Sequence, residues 1–209
     1  LLEQADQTIY IVSDEPYREL VYTAEPVPGI AGIYPNSLIC YSWSKSFSLP
    51  GERIGYVAVP NGAADYDDLM AALVLQNRVH GFVNAPAIWQ KVVTETMDLE
   101  VDPSPYQRRR DALLENFELA GLGIKDIPEG AFYLFPELPE KTKEAGEFAL
   151  EVFKEQGILG VNGTGFGAPG FLRFAYCVSD EIIENSREGF KKARKKLAKR
   201  WPELDNPQD

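Results

Sequence analysis

Histidine occurs once in 209 residues, at His80, and that scarcity excludes a good deal. Zinc clusters of His and Cys, HExxH helices and histidine-rich hydrolytic sites all need side chains this chain does not have. His80 stands at an expected helix end, where it is either structural or at the rim of a substrate site. Cysteine is nearly as scarce. Cys40, inside an apolar run, and Cys177 read as buried thiols rather than a disulfide, which points to a reducing cytoplasm. No apolar run approaches the ~18 residues of a membrane span, so no membrane partner is expected. Positive charge is in deficit too: the net charge of −11 argues against a nucleic-acid surface and for small-molecule work.

One local exception, Lys191-Lys192-Ala193-Arg194-Lys195-Lys196, looks like a nucleic-acid-binding tail. Ile183, Ser186, Phe190, Ala193, Leu197 and Trp201 step by three or four, however, which makes one stripe of a helix face a core. The lysines then form its solvated face, near a helix C-terminus that favours cations.

What the chain does have is Ser42-Trp43-Ser44-Lys45-Ser46-Phe47-Ser48-Leu49-Pro50-Gly51-Glu52-Arg53-Ile54-Gly55-Tyr56. A lysine and an arginine stand eight residues apart between two apolar runs that read as strands. Buried strands rarely tolerate nearby charge without a partner or a task. The hydroxyls of Ser42 and Ser44 and the guanidinium of Arg53 suit a phosphate, and the amine of Lys45 condenses with an aldehyde. Phosphate plus aldehyde describes pyridoxal 5′-phosphate (PLP), which binds as a lysine Schiff base with an acidic partner for its pyridinium nitrogen. Asp14 is the acidic candidate. It ends the β-branched run Thr8–Ser13, at the carboxyl end of an expected strand, where ligands of open α/β sheets bind. Tyr17 adds a phenol three residues on.

Asp14-Glu15-Pro16-Tyr17, together with Ser42-x-Ser-Lys45 and Pro50-Gly51-x-Arg53-Ile-Gly-Tyr56, resembles the class I and II aminotransferases of PLP fold type I. The lysine block fixes seven or more positions within fifteen residues, and Asp14 stands 31 residues before Lys45, in the family's order. The likeness continues through Gly130-Ala131-Phe132-Tyr133 and Phe166-Gly167 to Leu172-Arg173-Phe174-Ala175. It implies that Lys45 forms the Schiff base and shuttles a proton, that Asp14 keeps the ring nitrogen protonated, and that Tyr17 bonds the cofactor's phenolic oxygen. It further implies that Ser42, Ser44 and Arg53 hold the phosphate and that Arg173 clamps the substrate α-carboxylate.

Plainer readings exist for each residue. Asp14 suits a helix N-cap or a turn before Pro16. Tyr17 suits simple packing after a strand. Arg173 shares a strand face with Phe171 and Ala175, where a structural ion pair is the alternative to a carboxylate ligand. Six glycines from Gly157 to Gly170 read as a flexible loop leading into that strand.

The expected fold is α/β: a mostly parallel sheet, part of a PLP fold type I large domain, over residues 1–105, and a C-terminal α+β small domain over 106–209. Strands are expected at Ile9–Ser13, Ser37–Tyr41, Ile54–Val59, Ile124–Ile127, Ala131–Phe135 and Ile158–Val161, besides the Arg173 strand. Helices are expected at Tyr66–Asn77, from Asn84 to about Leu99, at Tyr106–Ala120, at Lys143–Gln156 and after Ser179. The family's N-terminal half, with its glycine-containing phosphate loop, has no counterpart, and Leu1–Ala5 reads as the end of a helix already under way. The resemblance therefore implies a fragment, inactive alone and with apolar surface exposed, whose parent is a homodimer moving amino groups between an amino acid, of aspartate or aromatic type, and a 2-oxo acid. Two alternatives share the machinery: a PLP-dependent C–S β-lyase, and an aminotransferase-like effector domain of a transcription regulator.

Overall fold

A computed structural model describes residues 6–205; the expected helix end at Leu1–Ala5 lies outside them. The chain divides between Asp102 and Pro103 into two compact units.

The first unit is built on strands β1 (Ile11–Asp14), β2 (Ser37–Ser42) and β3 (Gly55–Ala58), with short helices α1 (Ile30–Ile33) and α2 (Trp43–Ser46) flanking β2. β1 runs parallel to β2 and β3 antiparallel to it. The register sets Asp14 beside Cys40, Cys40 beside Val57, Tyr41 beside Tyr56 and Ser42 beside Gly55. Gly55 is dictated by this pairing: a Cβ there would lie 2.5 Å from the Tyr41 carbonyl oxygen. Helices α3 (Tyr66–Val79) and α4 (Ala87–Thr96) follow. α4 starts later than Asn84 because Pro86, extended at ψ 130°, occupies the N-cap. Burial in this unit is sparse. Trp43, Ile54 and Val93 form a small cluster against Tyr41, Phe47, Ala85 and Trp89. α3 buries none of its side chains, and Val12, Val79, Phe82 and Ile88 are each more than 60% exposed.

The second unit holds α5 (Ser104–Leu119), β4 (Tyr133–Leu134), α6 (Lys143–Lys154), β5 (Val161–Asn162), β6 (Leu172–Ala175) and α7 (Asp180–Leu197). Its strands form an antiparallel sheet with β6 between β4 and β5. The helices pack a ring cluster against β6. Phe117 lies 5.0 Å from Phe174 and 5.1 Å from Phe190, edge to face, and Phe153 lies 5.4 Å from each of Phe174 and Phe190. Full burial of side chains of this size stabilises by roughly 1.5–3 kcal/mol each. Buried Asn116 ties α5 to α7 by donating to the Ile183 carbonyl at 2.9 Å.

α7 starts as its sequence dictates. The Ser179 hydroxyl caps it by accepting from the Ile182 N–H, with Asp180 and Glu181 in the first turn. Ile183, Phe190, Ala193 and Leu197 face the core. Its basic face is paired with acids: Lys191 with Glu188, Lys196 with Glu155 and Arg194 with Asp205.

Two expected strands differ. Ile124–Ile127 forms none, because Gly123 and Pro128 bracket only two apolar residues and Ile127 is exposed. The Ile158 strand shifts to Val161–Asn162, since Ile158 turns into the core and Gly160 lies against the Phe174 ring. The cysteines are both unpaired, but Cys177 is exposed rather than buried.

Candidate active site

Strand β1 ends on Asp14 and the parallel β2 ends on Ser42, so both residues lie at the carboxyl end of this strand pair. Cα partners present side chains to the same face and alternate residues share it. Asp14, Cys40, Ser42 and Val57 therefore line one face, and Tyr41 and Tyr56 the other. Asp14 is exposed, and among the described residues its carboxylate has no ion pair or hydrogen bond. Its neighbour Glu15 is engaged instead. Glu15 accepts from Ser13 at 2.9 Å and pairs with Arg18 at 2.7 Å, and Arg18 donates to the Val27 and Pro28 carbonyls. The acidic doublet thus divides its labour, one carboxylate bracing the turn and the other left open on the sheet. Burial, and secondarily the Asp14 charge, push the Cys40 thiol up from its ordinary range.

Ser42 is also the N-cap of α2, accepting from the Ser44 N–H at 3.4 Å. That cap sends the chain out of β2 into a single helical turn carrying half-buried Lys45. The Lys45 ammonium lies 5.4 Å from the centre of the Tyr17 ring. Tyr17 belongs to the turn after β1, where its carbonyl accepts from the Leu20 N–H. Asp14 and Tyr17 thus come from one connection, Ser42, Ser44 and Lys45 from the other. Arg53 follows the turn Pro50–Glu52 in a left-handed conformation, φ 54°, and donates to the Pro50 carbonyl at 2.7 Å. This posture is costly for a residue with a Cβ and recurs at functional sites. Arg53 borders an open depression with Gly55, Asn77, Phe82 and Asn84.

On the opposite face, Trp43, Tyr41 and Tyr56 form an aromatic triad with ring centres 5.3–5.6 Å apart. Burial pushes the Tyr41 phenol up to about 12, opposed by its 2.9 Å hydrogen bond with Ser46. The sequence signal for this platform is weak: one aromatic on each of two neighbouring strands, Tyr41 and Tyr56, and Trp43 just past the end of β2. His80 caps the end of α3, exposed, on a depression shared with Tyr41 and Tyr56.

Arg173 belongs to the second unit. It is half-buried on β6 between buried Leu172 and Phe174. Its guanidinium lies 4.8 Å from the centre of the Tyr133 ring and 4.2 Å from that of Phe166. Among the described residues no carboxylate pairs with it, so the structural ion pair weighed above is not formed.

A family model described as aminotransferase class I and II matches residues 1–190. A probable aspartate/prephenate aminotransferase of Aquifex aeolicus is 32% identical over 207 residues, covering 92% of this chain and 50% of that protein. An aspartate aminotransferase of Pyrococcus horikoshii is 29% identical, covering 90% of this chain and 49% of its own length. Among solved structures, an amino transferase from Eubacterium rectale superposes with a TM-score of 0.83 at 42% identity, covering 93% of this chain and 48% of that one. The chain spans about half the length of the curated relatives it matches.

Proposed function

The chain belongs to the class I and II aminotransferases, and on that footing we propose that its first unit carries the lysine-bearing part of a PLP-dependent enzyme and its second unit that enzyme's small domain. The full protein transfers an amino group from an amino acid, of aspartate or aromatic type, to a 2-oxo acid. The names of the Aquifex and Pyrococcus relatives support transamination and the aspartate class.

The residues present fit the cofactor chemically. Asp14 offers an open carboxylate, Lys45 a half-buried amine beside a phenol, and Ser42, Ser44 and Arg53 hydroxyls and a cation for a phosphate dianion. When bound, PLP supplies an aldehyde for an amine and a ring that takes up the electron pair of a deprotonated Cα. The chain supplies the rest. Asp14 holds the proton on the ring nitrogen through an ionic hydrogen bond. Lys45 Nζ would take the proton from the substrate Cα and deliver it to the cofactor's C4′ carbon. Tyr17 donates to the phenolic oxygen. Arg173 would donate from its fork to the α-carboxylate, the partner that its fork otherwise lacks among the described residues. A homodimer in the cytoplasm, with no nucleic-acid or membrane partner, completes the reading; the two unpaired cysteines agree with a reducing compartment.

The observation that carries this reading is the alignment of Asp14 and Ser42 on one face at the carboxyl ends of β1 and β2, with Lys45 one helical turn beyond Ser42. In the full-length protein reconstituted with PLP, a visible absorption band is expected, lost in Lys45→Ala. An unchanged band in that variant overturns the assignment of Lys45.

A further inference from the structure

We propose that Tyr133 and Phe166 form an aromatic pincer that positions the Arg173 guanidinium for carboxylate binding, making them positioning residues for substrate affinity. The proposal rests on the carboxylate role given to Arg173 above. β6 lies between β4 and β5, and each flank delivers one ring. Tyr133 comes from β4, paired with Ala175, and so shares the sheet face of Arg173. Phe166 comes from the turn that leaves β5, whose Val161 is the Cα partner of Arg173. With ring centres at 4.8 and 4.2 Å, the guanidinium is attracted by both quadrupoles. Aromatic rings do not accept its five N–H donors in the planar, two-point manner of a carboxylate. The rings fix the cation and leave that valence open.

The Phe166 side of the pincer is braced. The turn Gly163–Phe166 is capped by Asn162, which accepts from the Thr164 N–H at 2.9 Å. The Asn162 amide also donates to the Lys143 carbonyl at the start of α6, at 3.0 Å. Gly146 permits that approach, since a Cβ there would lie 2.5 Å from the Asn162 Nδ2. Phe135 meets Phe166 edge to face at 6.3 Å and stacks on Phe171 at 5.2 Å. The glycine-rich stretch, expected as a flexible loop, is thus a pinned turn that presents one half-exposed ring to one cation.

A free arginine of this length samples many rotamers, and ordering it on binding costs affinity. An arginine already held by two rings avoids much of that cost. The test uses the full-length, PLP-loaded protein and the variants Phe166→Leu, Phe166→Tyr, Tyr133→Leu and Arg173→Ala. Binding of succinate and 3-phenylpropanoate, which keep a carboxylate and lack the amine, is read by calorimetry; KM and kcat are read with L-aspartate and L-phenylalanine.

Phe166→Leu and Tyr133→Leu should each weaken carboxylate binding and raise KM about five- to twenty-fold, with kcat changed less than about two-fold. Phe166→Tyr should restore wild-type affinity, and Phe166→Leu should cost nothing further in the Arg173→Ala background. Thermal melting of each variant separates loss of fold from loss of positioning, and Phe166→Tyr stands if Phe166→Leu does not fold. The pincer is overturned if both leucine variants match wild type, if tyrosine fails to rescue, or if the loss persists in Arg173→Ala. If Arg173→Ala itself leaves carboxylate binding intact, the role of Arg173 falls and the pincer with it. If Arg173→Ala abolishes binding while the leucine variants do not weaken it, only the pincer falls.

Discussion

The Lys45 ammonium stands 5.4 Å from the centre of the Tyr17 ring, so the connection after β1 and the helical turn after β2 meet at one cation and one phenol. The ring and the hydroxyl of Tyr17 have separable roles. Tyr17→Phe keeps the ring and removes a donor to the cofactor's phenolic oxygen. A donor there favours the deprotonated oxygen, so its loss should raise the apparent pKa of the bound chromophore by about one unit. Tyr17→Leu should show the same shift and, in the cofactor-free protein, also lose the ring contact to the Lys45 ammonium, worth about 0.5–1 kcal/mol. A spectrophotometric pH titration reads the shift and thermal melting of the cofactor-free protein reads the lost contact; no shift in Tyr17→Phe would contradict the phenol's role.

Asp14 is proposed to act by charge, at a position where its neighbour Glu15 is already committed to Arg18. Asp14→Asn keeps the shape and removes the charge, and should lower kcat/KM by a factor on the order of 100 or more. Glu15→Gln should instead lower the melting temperature and leave turnover largely intact. Steady-state kinetics and thermal melts of the pair check the division, and the reverse pattern would mean the two carboxylates had been misassigned.

The second unit should show an acid-side dependence set by ion pairs. Arg200 hydrogen-bonds Glu140 from both Nε and Nη2, at 3.1 and 2.7 Å, and holds its carboxyl below the usual range; Arg109, bonding through Nε alone, likewise lowers Asp180. A depressed folded pKa contributes stability above the ordinary carboxylate range, lost as pH falls through the folded value. Arg200→Ala should therefore lower the melting temperature at neutral pH and converge on wild type in acid. Parallel melting curves at every pH would contradict it.

The first unit has an alkaline counterpart. Burial pushes the Tyr41 phenol up to about 12, so the folded state retains a proton that an unfolded tyrosine releases near 10. The stability this confers is complete below about pH 10 and is lost as pH rises from there through about 12. Ultraviolet titration of wild type against Tyr41→Phe should show one late-ionising tyrosine missing from the variant. A full complement of ordinary tyrosines in wild type would contradict the burial argument.

Exposed Phe82, Val79, Ile88 and Val12 in the first unit predict association of the 209-residue chain in solution. Binding of a hydrophobic dye and a sedimentation coefficient above that of a monomer are expected; a dye-silent, monodisperse monomer would show that this surface is covered within the chain.

Where the candidate residues fall in the fold was largely legible because they lie in compact blocks governed by local rules. Asp14 ends an apolar run, and Ser42 ends another while capping the next turn, so strand period and capping chemistry place both. The Leu172, Phe174, Tyr176 alternation likewise placed Arg173 on the opposite face. Tertiary contacts were not legible. Asn162 against Gly146 and Phe166 against Arg173 join residues separated in sequence through a sheet register that no local pattern encodes. The missed strand at Ile124–Ile127 failed for the converse reason, since two apolar residues between Gly123 and Pro128 found no partner strand.

The whole proposed function stands or falls with the Lys45 amine as the point at which PLP joins this polypeptide. Borohydride reduction of the PLP-loaded full-length protein, followed by proteolysis and mass spectrometry, tests it most directly. The account predicts one phosphopyridoxyl group, on the peptide containing Lys45, and none on that peptide in Lys45→Arg. Stable attachment at a different lysine, or no attachment to a protein that has bound the cofactor, would contradict it.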